Sequence, residues 1–230
     1  ESPLSEDLMQ SIALENNLSE TAFININESP IPIRWFTPTL EVNLCGHATM
    51  ASAKILFEHF PDIAGTEISF SSKSGILKVS KNVEDICLNF PTDEPEPQKM
   101  DALFAEALGE SPIEILRGTD DFLVVFENEQ QIQAMNPDFT KLAKINSRGV
   151  VISAPGNDVD FVSRCFFPQT GVDEDPVTGS AHTMLIPYWA KQLDKIQFKA
   201  HQLSARGGVL DCKLINDRVL ISGKSIIYFE

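Results

Sequence analysis

The sequence contains one pattern twice. Arg34-Trp35-Phe36-Thr37-Pro38 recurs 130 residues later as Arg164-Cys165-Phe166-Phe167-Pro168, an R-x-F-x-P signature. Each copy ends a segment with strand character and is followed by an acidic loop, a glycine and a helical stretch rich in small residues. Gly46-His47-Ala48-Thr49-Met50 answers Gly179-Ser180-Ala181-His182-Thr183-Met184, and the second connecting loop is three residues longer. A five-position match alone would be compatible with two unrelated strand-to-helix turns. The shared order of strand, loop, glycine and helix favours an internal duplication, hence two halves of one design.

The 230 residues suit one large domain or two smaller ones, and 43% hydrophobic against 22% charged residues is a globular balance. The formal net charge is −15, from 33 acidic and 18 basic residues. Such a surface repels nucleic acid and anionic membranes, although net charge does not fix the potential of one cleft. Cys45, Cys87, Cys165 and Cys212 form no C-x-x-C pair and no zinc-type spacing with a histidine. They read as reduced thiols of a cytoplasmic protein, with no metal expected. No apolar run approaches the ~20 residues of a membrane span, and no signal peptide is visible. The sequence opens at Glu1 without a methionine, which leaves its true start open.

Ser5 is placed to cap a helix over 5–17 with Leu8, Ile12 and Asn16 on one face. Strands are expected over 21–26 and 33–36, then a helix over 45–59 buried around most of its girth. Strands over 68–70, 76–79 and 86–90 follow. Residues 91–97 carry prolines at 91, 95 and 97 and read as a stiff, unpaired linker. It divides the chain into 1–97 and 98–217, with a strand over about 218–230 a candidate to return to the first half. The second half reads as a helix over 99–108 ending at Gly109, strands over 113–116, 122–126, 149–153 and 161–167, and a helix over 179–191 kinked or broken at Pro187. Two or three strands follow over 208–228.

Both repeats put a glycine and a small polar residue at a helix start, where free N–H groups and the helix dipole favour an anion such as a carboxylate. Ordinary capping by Thr178 or Ser180 would use the same residues. Asp173, Glu174 and Asp175 precede the second helix. One of them could serve only as a cap, while Pro176 fixes the backbone after Asp175 and could hold that acid for catalysis or binding. Glu20 lies between Leu18 and Phe23. An apolar wall there would raise its pKa and suit it to proton exchange; a solvent-facing turn would not. His47 can bind or protonate a substrate oxygen, or be structural. Cys45 precedes a helix start, which lowers a thiol pKa. No phosphate loop, dinucleotide fingerprint, nucleophile elbow or H-E-x-x-H motif is present.

Four stretches, Asn17–Phe23 (NLSETAF), Ile33–Ala53, Gly171–His182 (GVDEDPVTGSAH) and Ala205–Gly208 (ARGG), together resemble the PhzF-like phenazine-biosynthesis family and occur in its order. The resemblance implies an α+β, duplicated fold similar to diaminopimelate epimerase and proline racemase. Two pseudo-symmetric halves, each a mostly antiparallel sheet around a central helix, would carry a cofactor-free site in the cleft between them. It implies Glu20 as the proton shuttle, with His47 and Asp175 catalytic. Ser19, Gly46, Thr178, Gly179 and Ser180 would bind a small carboxylate-bearing substrate, and Cys45 would be auxiliary or a bystander. The epimerases use two opposed cysteines; Cys45 matches the first, and the second is expected near Pro176, where no thiol stands. The expected activity is therefore a cofactor-independent isomerisation that moves a proton next to a carboxylate-bearing carbon. The alternatives are a non-catalytic small-acid-binding or protein-interaction member and an amino-acid epimerase. The epimerase would require Glu20 and Cys45 about 6–8 Å apart across an anion, both within reach of one carbon. A homodimer is compatible with the resemblance. The family also opens with a strand and a G-N-P segment, and the sequence starts after that region.

Overall fold

A computed structural model describes residues 4–82 and 85–227. The end of the expected last strand, 228–230, lies outside them. Contacts divide the chain into two compact units, residues 1–90 with 220–230, and residues 91–219.

The first unit begins with α1 (Glu6–Asn16), capped by the Ser5 hydroxyl, which accepts from the Leu8 N–H. Its inner face is Met9 and Ala13, packed on Phe23 and Phe36. The expected face fails because Leu8 is exposed. The pair four residues apart that includes Ala13 allows a closer approach to the sheet than the Leu8 row would. Asn17 ends the helix in the left-handed region and turns the chain through Leu18, Ser19 and Glu20 into β1 (Thr21–Ile24). β2 (Ile31–Phe36) alternates its side chains, burying Ile31, Ile33 and Trp35. β3 (Glu41–Val42) folds back on it, and α2 (Gly46–His59) and the single turn α3 (Pro61–Ala64) follow. β4 (Glu67–Ser72), β5 (Gly75–Asn82) and β6 (Asp85–Pro91) complete a sheet of order β1-β2-β4-β5-β6. Among the described residues, β2 and β4 run parallel, and β1–β2, β4–β5 and β5–β6 are antiparallel.

The second unit contains β7 (Glu96–Pro97), α4 (Ala102–Leu108), β8 (Glu114–Arg117) and β9 (Asp121–Val125). α5 (Glu129–Ala134), α6 (Phe139–Leu142), β10 (Gly149–Pro155), β11 (Phe161–Phe167) and β12 (Val172–Asp175) come next. Last are α7 (His182–Leu193), β13 (Gln197–Gln202) and β14 (Gly208–Ile215); the chain re-enters the first unit at Leu220, within β15 (Arg218–Gly223). The order is β7-β8-β9-β10-β11-β13-β14. Its core joins Phe104, Leu108, Val124, Phe126, Ile132, Val150, Ile152 and Phe166.

The duplication is visible strand by strand. β1-β2-β4-β5 has its counterpart in β10-β11-β13-β14, with antiparallel, parallel and antiparallel pairings in the same sequence. β3 folds onto β2 as β12 folds onto β11, and α2 and α7 occupy the same place in each half. The signature arginines explain why the pattern recurs. Arg34 donates through Nε and an Nη to both oxygens of Glu41, at 2.7 and 2.8 Å, and its guanidinium lies 5.1 Å from the Phe36 ring centre. Arg164 does the same to Glu174, at 2.7 and 2.9 Å, and lies 5.1 Å from the Phe166 ring centre. Each clamp ties a strand end to the acidic loop that follows, so register and loop path are fixed together.

Two expectations are corrected. The 91–97 segment is not an unpaired linker. Glu96 and Pro97 pair with Arg117 and Leu116, on a sheet edge where a missing N–H is tolerated. Thr92 N–H donates to Asp217 O, and the Asp93 carboxylate accepts from Thr119 N–H and Oγ1. Pro187 does not break α7, which runs on to Leu193. The carbonyl four residues earlier, at Thr183, accepts the Asp93 N–H at 2.9 Å, replacing the bond a proline cannot give.

Candidate active site

In the first unit, the α1–β1 connector and the start of α2 bring together Ser19, Glu20, Cys45 and His47. Glu20 precedes β1 and its side chain is 15% exposed. His47 stands in the first turn of α2, with Cys45 at the N-cap. His47 Nε2 lies 3.0 Å from Glu20 Oε2 and 3.2 Å from Ser19 Oγ. The Glu20 contact is at ion-pair distance but off the line of a well-directed hydrogen bond. Both ring nitrogens lie 3.9 Å from Cys45 Sγ. Thr49 donates its hydroxyl to Cys45 O, and Gly46 is buried beneath the turn.

The electrostatics reverse two expectations. Burial pushes the Glu20 carboxyl pKa up, but His47 at ion-pair distance, with the Ser19 and Cys45 side chains, outweighs it and holds the group below its ordinary value. Leu18, the expected apolar wall, is exposed. Burial pushes the Cys45 thiol up, aided by the Glu20 carboxylate and opposed by His47, so the helix start does not yield a thiolate.

In the second unit, Asp175 is the last residue of β12 and is 5% exposed. Its Oδ2 accepts from Thr178 Oγ1, and its carbonyl accepts from Gln202 Nε2 at 2.7 Å. Gln202 also accepts the Thr178 N–H at 2.7 Å and donates to Thr178 Oγ1 at 3.1 Å, so one side chain from β13 clamps the whole turn. Gly179 and Ser180 lie in tight turns ahead of α7, which begins at His182 rather than at Gly179. Ser180 Oγ is 3.4 Å from an Nη of Arg148, and Arg148 is held by the buried Asp121. Reasoning from sequence missed Gln202, Arg148 and Asp121. Each lies remote in sequence from the turn it supports, and the apolar–polar alternation of Phe198, Lys199, Ala200 and His201, which puts Gln202 in the inward row, was an available signal.

Aligning the halves on the arginine clamps sharpens the correspondence. Cys45, Gly46 and His47 follow Glu41 as Thr178, Gly179 and Ser180 follow Glu174. The counterpart of Cys45 is therefore Thr178, close to Pro176 and without a thiol. Phe36 pairs with Thr21 and Phe166 with Val150, so Gly149 holds the register position of Glu20. A Cβ at Gly149 would lie 2.1 Å from the Phe167 ring. That half thus has neither a thiol nor a carboxylate at these positions. Glu20 and Cys45 have their donor atoms within 4.8 Å, side by side with His47, which leaves no room for an anion between them as the two-base arrangement required.

The fold is a mixed α/β one, similar to epimerase-like folds. A predicted epimerase from Pseudomonas aeruginosa shares the fold at a TM-score of 0.73, with 19% identity over 100% of this chain and 91% of that one. A profile described as phenazine biosynthesis-like protein (PhzC-PhzF) matches residues 1–230. The chain belongs to that PhzF family. A PhzF-family phenazine biosynthesis protein from Enterococcus faecalis is similar at a TM-score of 0.92, 43% identical, covering 100% of this chain and 88% of its own. A relative from Pseudomonas aeruginosa named "Uncharacterized isomerase" is 49% identical over 224 residues, 97% of this chain and 85% of the relative. Among the described residues, no helix is long and apolar enough to cross a membrane.

Proposed function

We propose that the protein is an isomerase that moves a proton next to a carboxylate-bearing carbon of a small acid, with Glu20 as the single base. The observation that carries this reading is Glu20 itself, a largely buried carboxylate kept ionised by His47 and Ser19. A base must be deprotonated before it acts, and the depressed pKa supplies that form at neutral pH. Its conjugate acid is correspondingly strong, so the proton it lifts is readily returned.

His47 stabilises the carboxylate and relays or orients the proton, and Ser19 holds His47. Gly46 and the first turn of α2 offer backbone donors to the substrate carboxylate. In the second unit, taken by itself, Gln202 holds rigid the turn that carries Asp175, Thr178, Gly179 and Ser180, and we assign these four to the binding of a small carboxylate-bearing acid. Thr178 in the place of Cys45, with Gly149 in the place of Glu20, supports one base rather than two. Names of relatives as isomerases support the reaction class.

The experiment is deuterium wash-in. Pooled cyclic and linear amino and hydroxy acids are incubated with the protein in D₂O and read by mass spectrometry and proton NMR. Label entering one compound, and lost by at least about 100-fold with Glu20→Gln, is expected for removal of a positioned base. Label entering at an undiminished rate with Glu20→Gln refutes the assignment. No label in any compound favours the small-acid-binding alternative.

A further inference from the structure

We infer that Glu20, Cys45 and His47 form a binding site for one thiophilic divalent cation, Zn²⁺ foremost. The geometry is nearly that of a coordination shell. One donor atom from each residue lies within 4.8 Å of the others. The nitrogen–oxygen separation is 3.0 Å and the sulfur–nitrogen separation 3.9 Å. Tetrahedral zinc with bonds of about 2.0–2.3 Å sets its donors roughly 3.3–3.8 Å apart. Small side-chain rotations on fixed backbones convert one arrangement into the other.

The donor chemistry selects the ion. One thiol sulfur, one imidazole nitrogen and one carboxylate oxygen suit Zn²⁺, whereas Mg²⁺ and Ca²⁺ require oxygen shells. Thiolate and carboxylate together cancel the charge of the cation, so the neutral assembly suits a site in which Cys45 is 4% exposed. The N-terminus of the 14-residue α2 repels a bare cation but favours both anionic ligands beside it. Glu20 Oε2 is shielded from solvent and makes no well-aligned hydrogen bond, leaving a lone pair for the metal. Three protein ligands leave a fourth position for water or a carboxylate, the pattern of an open zinc site. On binding, the Cys45 S–H bond breaks and its electron pair forms the sulfur–metal bond; a ring proton that His47 carries on the ligating nitrogen is lost in the same way, and each proton passes to solvent. Spacing along the chain concealed the site, because its third ligand comes from a different element.

This inference does not rest on the isomerase reading, and its test uses no substrate. The full chain, reduced and metal-free, is titrated with Co²⁺ and followed by absorption. The expected result is a near-ultraviolet thiolate-to-cobalt charge-transfer band with the visible bands of a four-coordinate ion. It saturates at about one ion per chain and is abolished by Zn²⁺ but not by excess Mg²⁺. Zn²⁺ in weak buffer releases about one proton per ion from the thiol, and up to about two where His47 starts protonated. Cys45→Ser removes the band with circular dichroism unchanged, whereas Cys87→Ser retains it. His47→Gln and Glu20→Gln each weaken Co²⁺ binding by more than about 10-fold, the smallest loss typical even of outer partners. Absence of the band in the unaltered chain, or its persistence in Cys45→Ser, overturns the inference. A metal signal with silent deuterium wash-in, or the converse, separates its fate from that of the proposed reaction.

Discussion

His182 illustrates how a single side chain reports on its surroundings. It is wholly buried, its Nδ1 lies 2.9 Å from Thr178 O, and its ring lies beside Phe161. Burial draws its pKa down to about 4. The folded protein therefore refuses a proton that the unfolded chain accepts near its ordinary value of about 6.5. Stability from this group is complete above that value and is lost as pH falls from about 6.5 to about 4, by up to about 3 kcal/mol. Urea unfolding across that window is expected to show the loss, and His182→Asn, whose amide can still donate to Thr178 O, is expected to flatten it. An unchanged pH slope in the variant would contradict the assignment. Glu20, Glu41 and Asp160, whose pKa values are lowered, lose their stabilisation at more acidic pH, as it falls through their folded values. At this scale Glu20 and His47 were legible as candidates, because each sits at the junction of two elements. The sign of the Glu20 shift was not legible, since it depends on a histidine supplied by another element.

Among the elements, β11 depends on its clamp more than β2 does. Arg164 is 13% and Glu174 21% exposed in their side chains, and Arg164 also donates to the carbonyls of Ile132 and Met135 at the end of α5. Arg164→Met strands a carboxylate and two carbonyls and is expected to cost about 3 kcal/mol in denaturant unfolding. Arg34 is 31% exposed, and Glu41 keeps Lys73 as a partner, so Arg34→Met is expected to cost about 1 kcal/mol. Equal losses would show that burial does not set the value of the clamp. Strong periodic elements such as α1, α2, β2 and β11 were legible from pattern alone. α5 and α6 were not, being only 6 and 4 residues long, although the Asn128–Gln131 capping box was a usable signal. The three prolines of 91–97 misled, because what orders that segment is Asp93, whose partners at Thr119 and Thr183 are far along the chain.

For the whole molecule, stability should be unevenly spread. β10 runs between β9 and β11, and Val150, Val151 and Ile152 have no exposed surface. Hydrogen exchange is expected to be slowest in β10, through global opening, and much faster in α1, most of whose residues face solvent. Equal protection of the two would contradict this gradient. The duplication itself was legible because R-x-F-x-P records a structural need, an arginine that must reach a glutamate across a strand end; the register that sets Gly149 opposite Glu20 in the pattern required strand pairing. The clamps also bear on how the chain avoids folding wrongly. Two kindred strands in one polypeptide invite exchange of partners during folding. Arg34 meets its own glutamate 7 residues away and Arg164 meets its own 10 residues away, whereas crossing partners would join positions 123 or 140 residues apart. Closing the longer loops costs roughly 2–3 kcal/mol more. Nearness along the chain thus acts as proofreading, so that each copy recognises itself before it meets its twin.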